Sequence, residues 1–231
     1  MATSGTTTFN LSIDEIIEES YERIGIRSNS GYDIKSARRS LNILFSEWGN
    51  RGVHLWKVKL YDQTLTTGQA TYTTPEDCSD VLEAYVSTSG GTPGQSTSDL
   101  SLTKIDRSMY ASLPNKGQTG QPSQYYVDRQ VDPIIYLYQV PDRVQYTHLK
   151  YYYISRIEDA GAYTNDANLP YRFIPCMVSG LAYYLSQKRS PERMDLLKLA
   201  YEDEMKRALD EYGQRTSLYI TPQTYFPQGT Y

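Results

Sequence analysis

The pattern of apolar and polar positions predicts helices at both ends of the chain. Residues 12–24 and 32–49 place apolar side chains three or four positions apart. This spacing puts them on one side of a helix with 3.6 residues per turn. Ser12 and Glu15 have the spacing of a capping box, in which each side chain accepts a hydrogen bond from the other residue's backbone amide. Two amphipathic helices are therefore expected near the N-terminus.

The helical pattern returns in the last third of the chain. Residues 169–187 have a helical period, and Ser190 followed by Pro191 predicts the N-cap and first position of a final helix. We expect this helix to end at Gly213. Its predicted buried stripe is Met194, Leu197, Tyr201, Met205 and Leu209.

The middle of the chain has a period of two, which is typical of half-buried strands. Trp56, Val58 and Leu60 alternate with Lys57, Lys59 and Tyr61. We expect residues 69–74 to pair with this strand as a hairpin. Further strands are predicted at residues 81–87, 124–128, 134–138 and 146–154, with an exposed loop at 87–98 and a short helix within 102–111.

The order of the elements predicts an α+β fold. The N- and C-terminal helices form a helical bundle, and an antiparallel β-rich region is inserted between them. The predicted units are a flexible leader at 1–11, a discontinuous helical body at 12–52 plus 169–212, a β-rich insertion at 53–168 and an extended C-terminal arm at 213–231. Trp48 and Trp56 are expected to be structural core anchors where helix gives way to strand.

Tyrosine is the most unusual feature of the composition, with 23 of 231 residues against 4 Phe and 2 Trp. Tyr combines a large apolar ring with a polar tip, so it suits contact surfaces, but strands also favour it. Both interpretations stay open for the β segment. The arm has no strand pattern, which favours docking on a neighbouring protein. Its candidate docking residues are Leu218, Tyr219, Ile220, Tyr225, Phe226 and Tyr231.

The charge of the chain argues against a protein whose main task is to grip nucleic acid. The formal net charge is −4, whereas phosphate backbones require a concentrated basic face. Residues 150–156 interleave basic and aromatic side chains that could stack bases, but Glu158 and Asp159 follow directly. No apolar run has the length that spans a bilayer, and no stretch has the pattern of a signal peptide.

The sequence contains little that predicts chemistry. Its histidines, His54 and His148, lack further ligands at metal-binding spacing. No glycine-rich phosphate loop or nucleophile elbow is present. Cys78 and Cys176 lie far apart and are expected to be reduced, structural thiols. We therefore predict no catalytic residue, cofactor or metal.

Two acidic pairs keep a glycan hydrolase open as a less favoured alternative. Glu76 and Asp77 lie in a predicted turn, and Glu158 and Asp159 follow a predicted strand. Two carboxylates flanking a sugar are the machinery of glycosidases. Acids are common after strands, however, and Asp159 equally suits a turn.

Several segments resemble head-to-tail adaptor proteins of tailed bacteriophages. The residues that carry the resemblance are SLNILFSEWGNRGVHLW at 40–56, YASLPNK at 110–116, GQPSQYYVDR at 120–129 and IYLYQVPD at 135–142. The adaptors of short-tailed phages, also called head completion or tail tubular proteins, are most similar. The resemblance covers roughly residues 10–212.

The resemblance implies a structural virion protein and not an enzyme. Such adaptors form a ring, typically of twelve copies, between the portal protein and the tail nozzle protein, and double-stranded DNA passes through the central channel without specific binding. The protein would be assembled in the host cytoplasm and reside at the head-to-tail junction, with no membrane. The alternative is another tail structural protein or a receptor- or glycan-binding module.

A ring requires that one face of a subunit contact a different face of the next. The charged faces of the second and last predicted helices are the candidates for these contacts. The residues concerned are Arg38, Arg39, Glu202, Asp203, Lys206 and Arg207.

Overall fold

The computed structural model describes residues 5, 11–27, 30–53, 55–90, 98–162 and 164–212. Within these ranges the chain is a mixed α+β protein with five α-helices and two four-stranded sheets. The helices are α1 (Ile13–Ile24), α2 (Gly31–Asn50), α3 (Arg107–Ser112), α4 (Ile174–Arg189) and α5 (Met194–Tyr212). Short 3₁₀ helices at Leu55–Lys57, Tyr171–Phe173 and Pro191–Arg193 precede β1, α4 and α5 respectively.

The signals at the ends of the helices explain most of their boundaries. The capping box of α1 is confirmed, because the Ser12 hydroxyl accepts from the Glu15 amide and the Glu15 carboxylate accepts from the Ser12 amide. Gly25 then ends α1 in the left-handed conformation, with φ of 76°. Ser190 and Pro191 occupy the predicted N-cap and first positions of the turn that leads into α5, but Ser190 makes no side-chain capping hydrogen bond. Its hydroxyl donates to the Glu192 carboxylate instead of capping α5, and a 3₁₀ turn separates Ser190 from that helix.

Helix α4 packs against α1, α2 and α5, and the side chains between them form one hydrophobic cluster. Trp48 is fully buried in it, and its indole N–H donates to the Tyr201 hydroxyl at 2.9 Å. That hydroxyl in turn donates to Glu47 at 2.9 Å. Gly180 allows the close approach, because a Cβ there would lie 2.9 Å from the nearest Leu44 methyl and 3.0 Å from the Tyr201 ring.

Trp56 lies at the edge of the same cluster. It is half-buried, and its ring centroid is 4.8 Å from that of Phe173. It belongs to the 3₁₀ turn Leu55–Lys57 that leads from α2 towards the sheets.

The described strands form three sheets. Their bounds are β1 Val58–Thr64, β2 Thr71–Thr73, β3 Cys78–Ser87, β4 Asp99–Ser101, β5 Thr103–Ile105, β6 Thr119–Gly120, β7 Gln124–Asp128, β8 Ile134–Tyr138, β9 Val140–Pro141 and β10 His148–Ser155. The strand orders are β1-β10-β3-β4, β2-β8-β7-β5 and β6-β9. Pairing is antiparallel as predicted, except that β5 with β7 and β6 with β9 are parallel.

Two predictions about the start of the β region are wrong. The first strand begins at Val58, not Trp56, and Lys57 is buried instead of exposed. Residues 69–74 do not pair with this strand, because β1 pairs with β10 and β2 pairs with β8. Both errors concern partners that are distant along the chain, which local periodicity does not reveal.

The inward side chains of the two four-stranded sheets form a second hydrophobic cluster that is rich in tyrosine. Tyr72, Tyr125, Tyr151 and Tyr153 are buried there. The Tyr125 hydroxyl donates to the Leu82 carbonyl at 3.1 Å. These four tyrosines are therefore explained by packing between strands, and not by contact with another protein.

Candidate assembly surfaces

The predicted docking arm lies outside the described residues. Helix α5 ends at Tyr212, so the structure places none of Leu218, Tyr219, Ile220, Tyr225, Phe226 and Tyr231. The surfaces that can be described are those of the helices and sheets.

The charged face of α5 carries ion pairs within the chain. Arg51 donates to both carboxylate oxygens of Glu202 at 2.7 Å, which ties the C-terminal end of α2 to α5. The hydrogen bond from Arg51 lowers the pKa of Glu202. One turn further, Arg207 donates to Asp203 at 2.6 Å. Of the residues predicted for subunit contacts on α5, Glu202 is thus held by the chain itself, whereas Lys206 is exposed.

The same helix exposes two leucines that the sequence analysis missed. Leu196 and Leu199 are 70% and 69% exposed. They lie one turn apart on a helix, outside the predicted buried stripe, so their i, i+3 spacing was an available signal. Leu209, which the predicted buried stripe includes, is 36% exposed as well.

Positive charge concentrates at the C-terminal end of α4 and on the adjoining face of α2. Arg39 is exposed and Arg38 is half-buried. The Lys188 ammonium donates to the Ser40 hydroxyl at 2.7 Å. Burial and the charge of Arg39 lower the pKa of Lys188, as expected where cations are close together.

Negative charge concentrates at the other end of α4, where the sequence analysis had considered only the apolar side of α1. Glu15, Glu18, Glu19 and Glu22 line a groove of about 450 Å³ between α1 and the start of α4. Arg23 lies beside them and donates to the Ser179 hydroxyl at 2.6 Å. The groove extends along α4 as far as Val178, ten residues before Lys188, so the acidic and basic surfaces are separated by roughly 15 Å along this helix.

The described residues contain no group of three or more His, Cys, Asp or Glu that could hold a metal ion. His54 lies outside the described residues, and His148 is paired through Nδ1 with Asp62 at 2.8 Å. Cys78 and Cys176 are both buried. Burial raises the pKa of Cys78, and raises that of Cys176 to about 12, so neither thiol is activated as a nucleophile.

The acidic pairs have structural partners. Asp77 accepts from the Lys59 ammonium at 2.8 Å and from the Tyr153 hydroxyl at 3.1 Å. Asp159 accepts from the Gly161 amide at 3.0 Å in a turn. The contacts of both aspartates therefore have a structural explanation.

The nucleic-acid interpretation of residues 150–156 is contradicted. Lys150, Tyr151 and Tyr153 are buried, the two tyrosines in the cluster between the sheets. Lys150 faces away from the tyrosine cluster and its ammonium lies 3.5 Å from Asp99. Rings buried in this way offer no platform on which bases could stack.

The charged and apolar surfaces described above all lie on helices. A comparison with protein families shows what kind of protein carries them. Residues 34–225 match the family model described as SU10 adaptor protein. The chain belongs to this family of phage head-to-tail adaptors. A search of curated proteins found no match.

The family match confirms the resemblance found in the sequence and shifts its limits. It begins within α2, so α1 lies outside it, and it continues beyond α5 into residues 213–225. The family is structural, which makes this chain a phage structural protein of the virion that contacts other virion components. In the described ranges, no helix combines the length and apolar character that crossing a membrane requires.

Proposed function

We propose that the protein forms a ring between the portal protein and the tail nozzle protein, with double-stranded DNA passing through the central channel. The observation that carries this proposal is the family match over residues 34–225. The ring has twelve copies, as the resemblance to short-tailed phage adaptors implies. The virion position of the ring is the head-to-tail junction.

Subunits in such a ring contact each other through unlike faces. The acidic groove beside Glu15 and Glu19 and the basic surface around Arg39 and Lys188 support this arrangement, because they give one chain two faces of opposite charge. The charged face of α5 contributes as well. The contact residues in this proposal are Arg38, Arg39, Glu202, Asp203, Lys206 and Arg207.

The helical body, residues 12–52 with 169–212, forms the ring in this proposal, and the β-rich insertion, residues 53–168, projects from it. The arm after Tyr212 docks on the portal. Aromatic anchors commonly dominate the energetics of interfaces. The anchors proposed are Leu218, Tyr219, Ile220, Tyr225, Phe226 and Tyr231, four of which lie inside the family match.

DNA passes through the channel without being held. The net charge of −4 supports this idea, because a wall with excess positive charge would bind phosphates and slow their movement.

The test compares the intact protein with a version truncated after Tyr212, each mixed with purified portal and imaged by electron microscopy. The intact protein is expected to add an annular layer beneath the portal. The truncated protein is expected to stay folded, with unchanged circular dichroism, and to leave portals bare. A second variant keeps the full-length chain but replaces Tyr219, Tyr225 and Phe226 by Ser, and it is also expected to lose portal binding. Undiminished portal binding by both altered proteins contradicts the docking role of the arm.

A further inference from the structure

The outward face of α5 changes from polar to apolar with distance from the end of the helix. Closer to Tyr212, this face carries Asp203 and Lys206, which are exposed. One turn further back, it carries Leu196 and Leu199, which are 70% and 69% exposed. Burial of such side chains is favourable in proportion to the apolar area that is removed from water. This part of the helix is therefore suited to an apolar partner.

The two leucines lie at known distances from the point where α5 ends. At about 1.5 Å per residue, Leu199 is roughly 20 Å and Leu196 roughly 24 Å from Tyr212 along the helix axis. An extended chain that runs back along α5 advances about 3.3 Å per residue. Such a chain draws level with the two leucines after about six to eight residues.

The sequence after α5 has its first apolar residues at this distance. Residues 213–217 begin with a glycine and continue with Gln, Arg, Thr and Ser, whereas the next three residues are Leu218, Tyr219 and Ile220. Glycine directly after a helix commonly lets the chain change direction. Counted from Tyr212, the helix face and the following segment thus have the same order, first polar and then apolar. This is the order that an antiparallel contact between them requires.

A segment of the same chain has an advantage over other partners of this face. It is tethered to the helix by a few residues, and a short flexible tether gives an effective concentration in the millimolar range. A second copy of the protein would need a comparable concentration in solution to compete. The tether therefore favours the chain's own residues as the occupant.

We propose that residues 218–220 cover Leu196 and Leu199 of the same chain in the isolated protein. The segment runs antiparallel to α5, with the polar residues 213–217 over Asp203 and Lys206. This contact forms within one chain, so it depends neither on the ring nor on the portal. Because residues 218–220 are also among the portal-docking residues, α5 and the portal compete for them.

The test follows the methyl NMR signals of Leu196 and Leu199 in the full-length protein, each assigned by its disappearance in Leu196→Ile or Leu199→Ile. Tyr219→Ser is expected to move both signals, because it removes an aromatic ring that shifts the resonances of neighbouring methyl groups. Tyr225→Ser is the matched control. It removes the same ring about 20 Å further along an extended segment, and it is expected to leave both signals in place.

Two further measurements make the result interpretable. Leu137 and Leu149 are buried in the cluster between the sheets, so their methyl signals are expected to stay unchanged in both variants and to report an intact fold. In the unaltered protein, the signals of Leu196 and Leu199 are expected to keep their positions over about a hundredfold dilution, because a contact within one chain does not depend on protein concentration.

Three outcomes would overturn the proposal. If neither variant moves the signals of the two leucines, the segment does not contact them. If Tyr225→Ser moves these signals as far as Tyr219→Ser does, residues 218–220 are not the occupant. If dilution moves the signals towards their positions in Tyr219→Ser, a second copy covers this face instead. All the measurements are made without portal, so a failure of this contact is distinct from a failure of the arm to dock on the portal.

Discussion

The helical and β regions of this protein bury aromatic side chains in different ways. In the helical cluster, Trp48 and Tyr201 satisfy each other and Glu47 through side-chain hydrogen bonds. In the cluster between the sheets, the buried aromatic residues of the described chain are all tyrosines. Tyr125 and Tyr72 hydrogen-bond to backbone groups, and Tyr153 to the Asp77 carboxylate.

The hydroxyl acceptors do not divide the two regions, because Tyr21 of the helical cluster also donates to a backbone carbonyl, that of Asp33, at 3.1 Å. The difference lies in aromatic composition, since the helical cluster also contains Phe45 and Phe173 beside Trp48.

The positions of the tyrosines in the sheets show why their number alone does not identify a contact surface. Buried tyrosines in the sheets are structural, yet their neighbours on the opposite strand face are half-exposed. Tyr126 and Tyr136 stack there with ring centroids 5.8 Å apart, and Tyr110 of α3 stacks on Tyr126. A single residue type therefore serves both sides of one sheet, and its abundance alone does not identify a contact surface.

The strongest test of the contrast uses the one cysteine buried in each cluster. Cys176 belongs to the helical cluster and Cys78 to the β cluster. Each is expected to react with a thiol reagent at least about a thousandfold more slowly than in the unfolded chain, since labelling requires local or global opening. If the helical body and β insertion are separate units, the two residues become reactive at different urea concentrations, as mass spectrometry of labelled peptides would report.

Equal reactivity of both thiols in the fully unfolded chain serves as the control. A shared midpoint for the two cysteines would mean that the regions unfold as one unit, contrary to the predicted discontinuous domain.

A smaller effect is expected within the tyrosine cluster. Tyr125→Phe removes the donor to the Leu82 carbonyl, which should lower the free energy of unfolding by about 1 kcal/mol. Tyr151→Phe serves as the matched variant, because among the described residues the Tyr151 hydroxyl has no hydrogen-bond partner. It should leave stability unchanged or raise it. Urea denaturation measures the free energy of unfolding of both variants. Equal losses would show that the hydrogen bond from Tyr125 to the Leu82 carbonyl adds no net stability.

The smallest effect concerns the ion pair between α2 and α5. Arg51 lowers the pKa of Glu202 in the folded protein. The ion pair therefore stabilises the fold fully above the pKa that Glu202 has in the unfolded chain. This stabilisation is lost as the pH falls through the lower pKa that Glu202 has in the folded protein. Glu202 is 44% exposed, so Glu202→Gln should cost less than about 1 kcal/mol. The difference from the unaltered protein should be seen at neutral pH and vanish in acid.

Asp203→Asn is the control for this variant, since its pair with Arg207 is more exposed and lies within one helix. A loss from Glu202→Gln that persists unchanged at acidic pH would mean that the charge of Glu202 is not its source.

The sequence predicted those parts of the fold that local patterns determine. Ser12, Glu15 and Gly25 define α1, and strands β7 and β8 occupy the predicted residues. It failed where distant segments meet, as with the pairing of β1 and β10. The exposed leucines of α5 were readable from their spacing.

Gly180 gives the helical body a mechanical property. At this position α4 touches Leu44 of α2 and Tyr201 of α5 so closely that there is no room for a side chain. Sliding α4 by one turn in either direction would bring Cys176 or Tyr184, four positions away on the same face, into that gap. Neither side chain fits there without displacing a neighbour. We therefore expect the fit around Gly180 to oppose sliding of α4 past α2 and α5.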